Sequence, residues 1–228
     1  MSHLSAVRVA AKALPAKNAI IVFHGLGDTG SGWSFLSDYL VTDSKFNHTN
    51  FVFPNAPNMP VLANGNMIMP SWFNIKDWNI THESIDSEDF SKSLGIVETY
   101  VKEQIDSGIE PSNIILGGFS QGAALVLASS LVLKYKIGGF FALSGFSGLS
   151  SETLTKMKND NNINTPIFHG HGDADPIVPF EVAKHAEKVF SEEYKLNYKF
   201  HEYPGMGHTT CPDELNEVVS FIRKCLIF

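Results

Sequence analysis

Cysteine is almost missing from this chain. Two residues, Cys211 and Cys225, occur among 228, too few for a disulfide framework at this length. A reduced intracellular setting is expected, cytoplasmic with the nucleus allowed. The sequons at Asn47 ("NHT") and Asn79 ("NIT") are then chance matches, because glycosylation requires secretion. Positive charge is also scarce: 17 Lys and Arg face 24 Asp and Glu, a formal net charge of −7. Phosphate binding needs clustered cations, so no nucleic-acid partner is expected. Long apolar runs are lacking as well, and nothing reaches membrane-spanning length. The N-terminal stretch "MSHLSAVRVAAKALPAKNAIIVF" carries no acid before Asp28, but Arg8 and Lys12 interrupt any signal-peptide core. Its alternating "VRVA" reads as a first strand.

What is present suits a globular chain: 43% hydrophobic and 18% charged residues. The length allows one domain over residues 1–228 with a substantial core. Repeats, low-complexity tracts and linkers are not found. Short apolar runs alternate with helical patterns. "NAIIVFHG", "NFVFPNAP", "NIILGGF", "IGGFFALSG", "TPIFHGHGD" and "YKFHEYPG" read as strands. "SGWSFLSDYLV", "SEDFSKSLGIVETYVKEQIDSG", "SQGAALVLASSLVLKY", "FEVAKHAEKVFSEEY" and "CPDELNEVVSFIRKCLIF" read as helices. Alternation of this kind predicts an α/β fold, a mostly parallel sheet with helices on both faces. Ligands in such folds bind beyond the carboxyl ends of the strands.

One strand end carries "GFSQG", Gly118 to Gly122, a G-x-S-x-G pattern between a predicted strand and a predicted helix. Ser120 would occupy a strained turn with its hydroxyl above the sheet, at a helix N-terminus that favours developing negative charge. Against this stands an ordinary serine in a glycine-lined turn. A serine hydroxyl needs a base held by a third group, and the expected chain order is Ser, Asp, His. Asp173 and Asp175 follow a strand, and His208 follows the last one in a glycine-rich loop. The residues alone leave the two aspartates open. His3, His48, His82, His185 and His201 lie in polar contexts and read as solvated. "HGHGDAD" nearly matches a metal-ligand set, but Asp175 stands where a histidine is needed and no further ligand cluster follows. No metal is expected, and His171 reads as a loop histidine bonded to nearby backbone.

"FHGLGDTGSGW", "PNAP", "MPSWFNI", "LGGFSQGAAL", "LSG", "HGDADPIVP" and "YPGMGHTTCPDE" together resemble the acyl-protein thioesterase, lysophospholipase and carboxylesterase family of α/β-hydrolases. The likeness runs over nearly the whole chain. It implies Ser120 as nucleophile, Asp175 as orienting acid with Asp173 the runner-up, and His208 as base. It also implies an oxyanion hole from the backbone N–H groups of Leu26 and Gln121, with Gly25 and Gly27 allowing close approach. About 55 residues separate Ser120 from Asp175, and about 33 more reach His208, which leaves little room for a large cap domain, and none is expected. Met67, Ile68, Met69, Trp72 and Phe73 are candidates to line an acyl groove, with ordinary core as the competing reading. By resemblance the substrates are long-chain thioesters and oxygen esters on S-acylated proteins or lysophospholipids, met through transient membrane-surface contact and without a cofactor. The terminal "CLIF" matches a prenylation signal at Cys225. Packing of that end onto the sheet is the favoured expectation.

Overall fold

The structure is a computed structural model and describes residues 5–226. A seven-stranded sheet runs in the order β1-β3-β2-β6-β7-β8-β9. Its strands are β1 (Ala6–Val9), β2 (Asn18–Phe23), β3 (Thr49–Pro54), β6 (Ile114–Phe119), β7 (Gly139–Leu143), β8 (Ile167–Gly172) and β9 (Tyr198–Tyr203). Only β1 pairs antiparallel; the other neighbours are parallel. Strands β2, β7 and β8 are buried along their whole length, as central strands covered on both faces are.

Helices α1 (Gly30–Trp33), α2 (Phe35–Leu40) and α7 (Pro212–Cys225) pack with one face of the sheet around Trp33, Leu36, Phe53, Phe141 and Ile222. The opposite face carries α3 (Ser87–Asp106), α4 (Gln121–Val132), α5 (Ser151–Met157) and α6 (Phe180–Glu187). Helix α4 is buried at every residue from Gln121 to Leu131, which explains its lack of a polar face. Asp86 caps α3 by accepting from the N–H groups of Glu88 and Asp89.

Several elements depart from the sequence reading. The single helix expected from Ser31 divides into α1 and α2 at Ser34. The helix expected through Tyr194 turns π-helical over Lys188–Glu193. A hairpin of β4 (Asn58–Val61) and β5 (Met67–Pro70) was not foreseen, nor was α5. Pro60 and Pro70 argue against a strand in sequence, but here they sit in a two-stranded ribbon where few ladder bonds are needed. Gly65 and Asn66, both at positive φ (61° and 62°), turn the chain between its strands. Among the described residues no helix is long and apolar enough to cross a membrane. The Cys225 sulfur lies where a Cβ on Gly139 would come within 3.0 Å, so the end of α7 packs against β7. Residues 227 and 228 of "CLIF", and His3, lie outside the described residues.

Candidate active site

Ser120 joins β6 to α4 at φ 53° and ψ −115°, a conformation that costs a non-glycine residue about 1–3 kcal/mol. The turn is held from both sides. The Ser120 N–H donates to Leu143 O at 2.9 Å, and the Ser120 carbonyl accepts from Ala124 N at 3.0 Å. The flanking glycines are steric necessities. A Cβ on Gly118 would lie 2.4 Å from Gly122 C, and one on Gly122 would lie 2.1 Å from Phe23 O. The turn therefore folds onto its own backbone and onto the end of β2, leaving the Ser120 side chain at the carboxyl edge of the sheet.

His208 arrives from the loop after β9. Its Nε2 lies 3.0 Å from Ser120 Oγ and its Nδ1 lies 2.7 Å from Asp175 Oδ2. The Phe119 ring packs against the imidazole with centroids 4.8 Å apart. Asp175 follows β8, and its Oδ1 accepts from Ile177 N (2.8 Å) and Val178 N (2.9 Å). Burial raises the Asp175 pKa, but His208 and the two backbone donors outweigh it and hold the carboxyl below its ordinary range. Asp173, the runner-up in sequence, does not meet the histidine: its Oδ1 accepts from Gly205 N at 2.6 Å. It pins the loop that carries His208 instead. His171 is not in a loop. It is buried in β8, donates from Nε2 to Val178 O at 2.9 Å, and so braces the Asp175 turn. His169 contacts the Tyr198 hydroxyl through Nδ1. His201, read as solvated, pairs with Glu217 at 2.7 Å and stacks on Phe168.

A cavity of about 270 Å³ opens beside Ser120 and His208, with Gly25, Leu26 and Gln121 in its wall. Neither the Leu26 nor the Gln121 N–H has a protein acceptor among the described residues, so both are available to a ligand oxygen. Of the five groove candidates only Met69 borders this cavity. Trp72 and Phe73 are fully buried in the core, and Met67 and Ile68 face outward, 63% and 71% exposed. The reason is local. Ser71–Phe73 is tied inward to Gln121, whereas the two-stranded ribbon is open on both faces at Met67 and Ile68, neighbours that point to opposite sides. The apolar wall is built instead by Ile75, Trp78, Ile80, Phe146 and Ile177. These come from three separate segments, and no pattern in the sequence joins them.

A serine held in a strained strand-to-helix turn of a parallel sheet, with histidine and aspartate delivered from later strand ends, defines the α/β-hydrolase class of serine hydrolases. Within that class the chain belongs to the Phospholipase/Carboxylesterase family, whose model matches residues 4–226. Acyl-protein thioesterase 1 of Kluyveromyces lactis is 55% identical over 224 residues, covering 98% of each chain. Acyl-protein thioesterase 1 of Saccharomyces cerevisiae is 51% identical over 226 residues, covering 98% of this chain and 99% of the relative. Among solved structures, Arabidopsis thaliana SOBER1 superposes with a TM-score of 0.86 at 31% identity, over 92% of this chain and 99% of that one. Zea mays acyl-protein thioesterase 2 superposes with a TM-score of 0.80 at 26% identity, over 99% of this chain and the whole of that one.

Proposed function

We propose that this hydrolase cleaves thioester and oxygen-ester bonds of long-chain acyl groups, with S-palmitoylated proteins as its main substrates. The observation that carries the reading is the unbroken relay from Ser120 Oγ through His208 to Asp175, at 3.0 and 2.7 Å. Ser120 Oγ attacks the acyl carbonyl carbon while His208 Nε2 takes the hydroxyl proton. Asp175 fixes the ring and stabilises the imidazolium. The N–H groups of Leu26 and Gln121 bind the oxyanion. Collapse breaks the carbon–sulfur bond, and the leaving thiolate takes the proton from His208. Water, deprotonated by the same imidazole, then releases the fatty acid and restores Ser120. A thiol, with pKa about 8.5, leaves far more readily than an amine, so amides are poor substrates.

The thioesterase names of the relatives support the acyl-protein reading. The exposed Met67 and Ile68, on the hairpin whose Met69 borders the cavity, support transient contact with a membrane surface where lipidated substrates reside. The family description favours a second substrate class for the same machinery, lysophospholipids and small carboxylic esters. A fluorophosphonate probe should form one adduct, on Ser120. Palmitoyl-thioester peptide should then exceed short-chain ester in kcat/KM by at least tenfold. An unlabelled Ser120 overturns the mechanism, and a preference for short esters overturns the substrate assignment.

A further inference from the structure

The side chain of His24 has no part in the relay, yet it is fully buried one residue from the cavity wall. Its Nε2 lies 3.0 Å from Ala56 N. A backbone N–H only donates, so Nε2 accepts and carries no proton. The single proton of the neutral ring is therefore on Nδ1, which lies 2.7 Å from Gly25 O and donates to it. Burial lowers the pKa of His24 and keeps the ring neutral. The carbonyl of Gly25 and the N–H of Leu26 belong to one peptide group and point in opposite directions across its plane. Gly25 O also accepts from Asp28 N at 3.3 Å, while the His24 carbonyl is held by Trp72 Nε1 at 2.8 Å and Gly27 N by Pro70 O at 2.8 Å. Leu26 borders the cavity, and its N–H has no protein acceptor among the described residues.

From this geometry we infer that His24 is a positioning residue for the oxyanion hole: its Nδ1–H fixes and polarises the Gly25–Leu26 peptide, so that the Leu26 N–H is a stronger and better aimed donor. Hydrogen bonds in series strengthen one another by roughly 10–30%. A donor on the carbonyl draws electron density from the amide nitrogen, and the gain is largest when charge develops on the substrate oxygen. The bond thus acts on the transition state more than on bound substrate. The inference rests on the assignment of Ser120 and Leu26 given above.

Two substitutions separate the ring's two contacts. His24→Asn places an amide N–H near the former Nδ1 and keeps the donor to Gly25. His24→Gln reaches the former Nε2, keeps an acceptor for Ala56 N and loses that donor. With 4-nitrophenyl octanoate, His24→Gln should lower kcat by about 10–100-fold with KM changed less than about threefold. Octylboronic acid, which forms a tetrahedral adduct on serine, should bind it more weakly in the same proportion. His24→Asn should recover to within about fivefold of wild type. Equal losses in both variants, or wild-type kcat in His24→Gln, overturn the inference. Should neither variant fold, NMR of the wild-type enzyme labelled with ¹⁵N-histidine reads the tautomer directly. A proton on His24 Nδ1 is expected, and one on Nε2 overturns it. Fluorophosphonate labelling of wild-type Ser120 keeps the two questions apart: normal labelling with unaffected variants sinks only the role of His24, whereas no labelling sinks the Ser120 assignment beneath it.

Discussion

Gln121 grips Trp72 from across the cavity wall: its side-chain Oε1 accepts from Trp72 N at 3.0 Å and from Ser71 Oγ at 3.2 Å, while Nε2 donates to Phe73 O at 2.9 Å. The residue that offers its backbone N–H beside Ser120 thus also ties the nucleophile turn to the strap at 71–73. All its amide contacts are buried, so truncation leaves backbone polar groups without partners or water.

Gln121→Ala should cost about 1–3 kcal/mol of stability for the orphaned Trp72 N–H. It should also lower kcat, because the strap and the turn then move separately. Gln121→Glu puts an acceptor against Phe73 O and should be no better. Urea denaturation together with steady-state kinetics checks both effects. An alanine variant of wild-type stability would mean that the strap holds without the clasp.

The two aspartates of "HGDADPIVP" should separate sharply. Asp175→Asn presents an amide to His208 Nδ1 and favours the wrong tautomer, an effect worth up to about 10⁴ in kcat in serine hydrolases of this kind. Asp173→Asn keeps an oxygen for Gly205 N, at the exposed end of the loop, and should cost less than about tenfold. Parallel kcat measurements on a soluble ester decide the ranking, and a reversed order removes Asp175 from the relay.

The parts of this site legible in sequence are those written in neighbouring residues. "IILGGFSQGAAL" holds the strand, the strained serine and the helix together, and the apolar runs of β2 and β7 stop where the strands stop. Long-range contacts are not written that way. Asp173 and Asp175 lie two apart in one turn, and only the direction from which His208 arrives distinguishes them; resemblance, not spacing, made that choice. Trp72 and Phe73 are as apolar as any groove wall. They turn into the core because Gln121, some 50 residues away, holds their backbone. His24 and His171 likewise bond to backbone whose position no local pattern announces.

Glycine at 122 should tolerate nothing larger. A Cβ there would sit 2.1 Å from Phe23 O, backbone of a central strand that cannot retreat without breaking its pairing with β6. Gly122→Ala should therefore cost more than about 3 kcal/mol, beyond ordinary overpacking. Gly95 is the control. It is exposed in α3 with nothing within 4 Å of an added Cβ, and Gly95→Ala should stabilise by about 0.5–1 kcal/mol. Thermal melts of the two variants should move in opposite directions.

Glu214 makes the molecule less stable as pH rises. It is fully buried in the first turn of α7, and neither carboxylate oxygen has a hydrogen-bond partner among the described residues. Burial, with Glu217 adding to it, pushes its pKa from an ordinary 4.5 up to about 8. The folded state therefore keeps a proton that the unfolded chain has released between those two values. Since the native state binds more protons there, stability falls with rising pH, by up to about 1.4 kcal/mol per unit. Below 4.5 both states are protonated and the residue adds no pH dependence; above about 8 the full cost of a buried charge is present. Glu214→Gln removes this titration while nearly keeping the shape. The stability difference, variant minus wild type, should grow steadily from pH 5 to pH 8 and level off beyond. Other groups titrate in the same window, His201 among them with its pKa lowered chiefly by burial, but they are common to both proteins and cancel in the difference. A difference that stays flat from pH 5 to 8 would show that Glu214 reaches water or a donor and ionises as it does in the unfolded chain.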